Sequence, residues 1–314
     1  MQKRRLNLQF VSFVYAAISL SVFLSVSGCS NDQSLTNNQT NDSKQISSQE
    51  LKLRKYYRRV EKQKLSMGLL RQDGGGADTP FDLDNIIEAF EQLAFYNEYS
   101  LDDNKLLPNS SPVSLGKWKT HVNISTRFGD SVKNKQKEQD TIEITNLLSV
   151  LSDATNHKIK LTDKNINMYI VIGNQKEIVE LTNEIGLVLE EFDPKKIPII
   201  TKLPRDIHCM AMTSVSSHKN SEIESALVII RNELPDLMRR ACFHEEIAQS
   251  LGLTNDSHIA RPSIFNDNDE FSTLTELDKI LLKILYDNRL KSGIMKNEAS
   301  QLVKQIASEV TEQN

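Results

Sequence analysis

Apolar positions along the chain fall into three regimes. Residues 10–26 form an apolar run without a single charge, and residues 30–49 are Ser, Asn, Gln, Thr and Asp with almost nothing apolar. From about Met67 to Met295 the apolar residues recur with the periods of helices and strands. Leu83, Ile86, Ile87, Phe90, Leu93 and Ala94 return at helical spacing behind Asp82, a residue suited to accept from the first free amides of a helix. Ile144, Leu147, Leu148 and Leu151 mark a second helix. Residues 178–189 predict a third, stopped before Pro194, whose ring cannot continue it. Residues 122–128, 158–161, 168–172 and 226–230 read as strands, with Asn165 among the turn residues between the second and third. Helices and strands mix without a regular βαβ alternation, which predicts an α+β fold. No internal repeat is visible.

The first regime has the parts of an export signal. Lys3, Arg4 and Arg5 precede the apolar run, and small residues lead into Val26-Ser27-Gly28-Cys29. The run is slightly shorter than the roughly 20 residues of a membrane span. The ending resembles the lipobox of bacterial lipoproteins, which implies cleavage after residue 28, acylation of Cys29 and anchorage to a membrane. Ser30, in place of Asp, implies by the same resemblance the outer membrane, facing the periplasm. Removing residues 1–28 takes the formal net charge from −4 to −7. An acidic mature chain lacks the basic footprint of a nucleic-acid binder.

With Cys29 taken by lipid, Cys209 and Cys242 remain. An oxidising envelope favours a disulfide between them; the alternative is two buried thiols. Residues 29–65 read as a lipidated tether, too polar at first to offset the entropy of ordering, with a span of roughly 30 Å. Its later part, residues 51–59, is basic and aromatic and reads as a solvated helical extension or as a contact for anionic headgroups. Gly74-Gly75-Gly76 is not followed by Lys-Ser or Lys-Thr and reads as a turn, not a phosphate loop. Residues 66–296 are assigned to one domain and 297–314 to a C-terminal helical tail.

Chemistry concentrates in Cys242-Phe-His-Glu-Glu-Ile-Ala-Gln-Ser-Leu-Gly-Leu-Thr-Asn-Asp256. His244-Glu245 opens like a zinc-protease helix, but position 248 is Ala, so no second imidazole follows at i+4. One residue along, Glu245 and Gln249 take the ligand positions, Glu246 the general-base position, and Gly252 and Asn255 follow. That spacing resembles the metzincin superfamily of zinc peptidases. The resemblance implies a mixed sheet and an active-site-type helix, a zincin fold. It places metal ligands at Glu245, Gln249 and Asn255 or Asp256, with Glu246 as catalytic base. Pro262-Ser263-Ile264-Phe265 resembles the superfamily's methionine turn with Phe265 in the methionine's place. The apolar run from Leu277 to Tyr286 resembles its closing helix, and Thr275 with Asp278 makes a capping box.

The domain also resembles a family of bacterial envelope proteins of unknown function. The matching stretches include Gly68-Leu69-Leu70-Arg71, Asp78-Thr79-Pro80-Phe81, Lys117-Trp118, Phe128-Gly129 and residues 242–256.

The ligand positions depart from the peptidase pattern. Zinc prefers imidazole and thiolate, whereas Glu245, Gln249 and Asn255 offer one carboxylate and two amides. Amide oxygens suit calcium, magnesium or manganese if any ion. Without a metal-activated water Glu246 has nothing to deprotonate. The expectation is therefore an inactive, metallopeptidase-like binding module for a peptide, an envelope protein or a cell-wall component, with no cofactor. The rival is a metal-dependent peptidase with oxygen-rich ligands and Glu246 as base; a closed scaffold is the third reading. His244 reads as packing, Gln249 as an i, i+4 partner of Glu245, and Asp267 with Asp269 as an exposed acidic loop.

Overall fold

The structure is a computed structural model describing residues 47–102, 105–108, 111–189, 200–201, 203–215, 221–266 and 268–312. The export signal, Cys29, the first part of the tether and Asp267 lie outside the described residues.

The chain runs α1 (Ser48–Ser66), α2 (Leu83–Ala94), β1 (Tyr99–Asp102), β2 (Lys105–Pro108), β3 (Lys117–Trp118), β4 (Val122–Phe128), α3 (Asn134–Thr155), β5 (Ile159–Leu161) and β6 (Met168–Gly173). It continues through α4 (Gln175–Gly186), β7 (Cys209–Val215), β8 (Glu222–Arg231), α5 (Asp236–Gln249), α6 (Glu276–Leu285) and α7 (Lys296–Glu312). The main sheet has the order β3-β8-β6-β4-β5, all parallel, and β7 pairs antiparallel with β8. β1 and β2 form a separate hairpin.

The fold is therefore mixed α/β around a largely parallel sheet, which corrects the α+β expectation. The physical reason is visible in β6, buried at every position. Met168, Ile170 and Ile172, with Ala226, Val228 and Ile230 of β8, face the larger core, packed with α2, α3, α5, α6 and α7. Tyr169, Val171, Leu227 and Ile229 face a smaller core with Ile178 and Ile185 of α4. Helices on both faces make a strand apolar throughout. The irregular connections, a direct step from β5 to β6 and a long passage through α4 and β7 before β8, hide this in the sequence.

Two domain limits move. α1 is not free tether: Tyr57 is fully buried, donates to the Arg205 carbonyl at 2.9 Å and stacks edge-on against His208. Among the same contacts Arg205 lies over the Tyr56 ring. α7 is not a tail either, since Ala299, Val303, Ile306, Ala307 and Val310 belong to the larger core. Elsewhere the caps form as read. Asp82 caps α2, and Asn165 sits at φ +48 in its turn. The helix expected to reach residue 189 ends at Gly186. Among the described residues no helix is long and apolar enough to cross a membrane.

One buried ion pair fixes α5 against α3. Arg239 Nη1 lies 3.3 Å from Asp140 Oδ2, and Nη2 donates to the carbonyls of Asn232 and Leu234. Both residues are almost wholly buried. Burial raises the Asp140 carboxyl and lowers the Arg239 guanidinium, so desolvation outweighs their mutual attraction at both ends. Removing one partner leaves the other charge buried alone. Asp140→Ala should cost about 3–5 kcal/mol in urea unfolding. Asp140→Ala with Arg239→Met should recover much of that loss; a double variant no better than the single would contradict the pair's role.

Candidate functional site

The last turn of α5 carries Glu245 and Glu246. The helix stops at Gly252, whose φ is +126 and where a Cβ would meet the Gly116 carbonyl oxygen at 2.2 Å, so only glycine fits. Trp118 Nε1 donates to the Ser250 carbonyl and the Tyr286 hydroxyl to that of Leu251, satisfying the free carbonyls at the helix end. The chain then turns along α2, where Asn255 Nδ2 donates to the Gln92 carbonyl at 3.0 Å. Beyond it the Ser257 amide donates to the carbonyl of fully buried Phe265. That turn is held by Asp278, which accepts from Ser263 Oγ, the Ile264 amide and the Thr275 amide and hydroxyl. Burial still pushes the Asp278 carboxyl up to about 6. The Thr275–Asp278 capping box opens α6 as its sequence implies.

Oxygens of Glu245 and Glu246 and the Cys209 sulfur all lie within 4.8 Å of one another. That sulfur is not a free ligand, because Cys209 of β7 is bonded to Cys242 of α5, with 5.9 Å between Cα atoms. The disulfide joins the edge strand to the helix one turn before the carboxylate pair. It closes an interval of 33 residues and so stabilises by roughly 3–4 kcal/mol on the chain-entropy estimate.

Burial raises both carboxyls well above the usual glutamate range. Glu246, Asp269 and Glu98 push Glu245 further, against Lys64; Asp256 and Glu98 push Glu246 further, against the amide of Ala211 that it accepts. Glu246 is buried and Glu245 half-buried. Five carboxylates from four parts of the chain thus share one region, a pattern typical of functional sites.

The residues read as metal ligands do not all converge there. Gln249 donates through Nε2 to Asp256 Oδ1 at 2.7 Å, not to Glu245, so the expected i, i+4 pair is replaced by a bridge across the turn. Asn255 faces α2, and His258 is exposed. His244 is structural: Nδ1 accepts from the Leu274 amide and Nε2 lies 3.2 Å from Glu143 Oε1. Asp269 pairs with Lys64.

Sequence reasoning missed β7 and Glu98. In β7, Cys209 and Ala211 pack on the larger core and Met210 and Met212 on the smaller. That period of two was the available signal, muted because methionine and alanine are weak strand formers. Nothing local to Glu98 marks it; only the fold brings it near.

Fold and site define an α/β domain in which a core helix presents two carboxylates beside a disulfide-tied antiparallel edge strand. The chain belongs to the family described as protein of unknown function DUF2927, whose model matches residues 84–305. No curated protein matches the chain.

The pH dependence follows from the direction of the shifts. Raised carboxyls hold protons in the folded state that the unfolded chain releases, so their contribution is most favourable in acid and is lost as pH rises above the ordinary glutamate range. Glu246→Gln keeps an acceptor for the Ala211 amide and removes the charge. It should raise Tm at pH 7.5 by some degrees, at about 2–4 °C per kcal/mol for a domain this size. The gain should shrink towards pH 4.5. A melting series showing destabilisation at pH 7.5 would overturn the reading of an uncompensated acid.

Proposed function

We propose that the chain is an envelope lipoprotein, anchored through Cys29 and facing the periplasm from the outer membrane. Its family domain is a metzincin-like fold without peptidase chemistry that holds an extended, basic peptide segment beside β7. The observation that carries this is the edge strand itself. β7 pairs with β8 on one side, and the disulfide fixes it beside Glu245 and Glu246. A rigid strand edge binds extended peptide through main-chain hydrogen bonds, with side-chain sites setting the preference. The surrounding acids Glu98, Glu245, Glu246, Asp256 and Asp269 favour a partner of positive charge.

The metzincin likeness is supported by the order of parts: a mixed sheet, a helix ending at Gly252, the Phe265 turn and α6 behind it. Likeness of fold is a weak warrant for activity. The donor set does not fit zinc, which prefers imidazole and thiolate. Gln249 and Asn255 offer only amide oxygens, their nitrogens orient them towards Asp256 and the Gln92 carbonyl, and Cys209 is in a disulfide. The rival reading, a peptidase using a hard divalent ion and Glu246 as base, draws on the close carboxylates, whose repulsion such an ion would relieve.

Metal content separates the two. Protein purified without chelator or affinity metal should carry no stoichiometric ion by mass spectrometry. An ion present in the parent and lost in both Glu245→Gln and Gln249→Ala would establish the rival. Fluorescence anisotropy should then show a lysine- and arginine-rich extended peptide binding at least tenfold more tightly than its glutamate counterpart. Glu245→Gln should narrow that preference, and equal affinity for both peptides would sink the binding reading. Separately, the full chain should fractionate with membranes and Cys29→Ser should not; an unchanged distribution would remove the anchor.

A further inference from the structure

At the opposite end of α5 from the carboxylate pair lies a cavity of about 650 Å³, a size that suits a small ligand. Residues from α1, α3 and the entry to α5 line it, among them Arg58, Glu61, Lys133, Gln136, Glu233 and Arg239.

Its walls leave two kinds of demand unmet. The first is for negative charge. Two helices begin here, and neither has a side-chain bond from its own N-cap residue, Lys133 for α3 and Pro235 for α5. The α5 amides of Leu237 and Met238 are taken by one carboxylate oxygen of Glu61, reaching across from α1 at 3.1 and 3.2 Å. The fold thus already seats one carboxylate on a helix start in this cavity. The α3 start has no such partner, and it carries Lys133 itself, exposed, with Gln136 one turn in. Arg58, also exposed, adds a second cation from α1. A helix N-terminus with adjacent cations is a site for an anion.

The second demand is for a donor. Glu233 is 3 % exposed and its Oε2 has no hydrogen-bond partner. A buried polar oxygen left unbonded costs on the order of 1–3 kcal/mol. Burial also raises this carboxyl despite the nearby Arg231 and Arg54, and an ammonium bonded directly to Oε2 would favour its charged form.

We propose that this cavity binds a small zwitterion, a free amino acid or short peptide. Its carboxylate lies at the α3 start between Lys133 and Arg58, and its ammonium at Glu233. The site is separate from the carboxylate pair and does not depend on the peptide reading given for β7.

Calorimetric titration of the full chain with glycylglycine tests it, with acetate and methylammonium as ligands carrying one end only. Saturable binding of the dipeptide is expected, at least tenfold tighter than either control. Glu233→Gln should weaken the dipeptide at least tenfold while leaving acetate unchanged, and Lys133→Ala should weaken both. Circular dichroism confirms that each variant is folded. Lys133 is exposed, so its variant remains informative if Glu233→Gln does not fold. Absence of saturable heat with the dipeptide overturns the proposal. So does acetate binding as tightly as the dipeptide, which would mark a plain anion site, or a dipeptide affinity that neither variant alters.

Discussion

The guanidinium of Arg239 is almost wholly buried, and the start of α5 is organised around it. Asp140 reaches it from α3, while the carbonyls of Asn232 and Leu234 take its other face. Burial works against the charge on both partners. Such a pair contributes little net stability compared with apolar packing, but it tolerates few alternative arrangements. Because α5 is one rigid helix, fixing its first turn also fixes where its last turn delivers Glu245 and Glu246. The Gly252 reversal and the Cys209–Cys242 bond then hold the far end.

Within that frame the carboxylates are set against local stability. Their neighbours are mostly acids, and the donor to Glu246 is a neutral backbone amide. Such an arrangement suits the positively charged partner proposed above, which would offset the burial of these groups. The disulfide holds the edge strand beside them, where the Ala211 amide donates to Glu246. Rigidity there would lower the entropic cost of aligning the extended segment proposed above.

How much of this the sequence held depends on the range of the forces involved. Local signals were readable: Asp82 before α2, Thr275 and Asp278 before α6, Gly252 after α5, and the period of β4. The cysteine pair could be inferred from compartment. Sheet direction could not, because parallel pairing of β6 with β4 and β8 joins residues far apart in sequence. Spacing also placed Gln249 and Asn255 as co-ligands. Their amides instead found Asp256 and the Gln92 carbonyl, partners set by the packing of the turn on α2. The polar look of residues 51–59 hid the contacts, foremost that of buried Tyr57, that make α1 part of the body.

α1 lies outside the span that the family model matches, yet it bears on both ends of α5, by hydrogen bonds at the start and by charge near the end. Glu61 covers the helix start, and Lys64 is the cation that eases Glu245 near the helix end. The dipole of α5 and the charge of its carboxylate pair are therefore trimmed by residues outside the matched span. A fragment cut to the family's limits would keep every strand of the sheet but lose both adjustments, leaving a bare helix start and a more negative surrounding for the carboxylate pair.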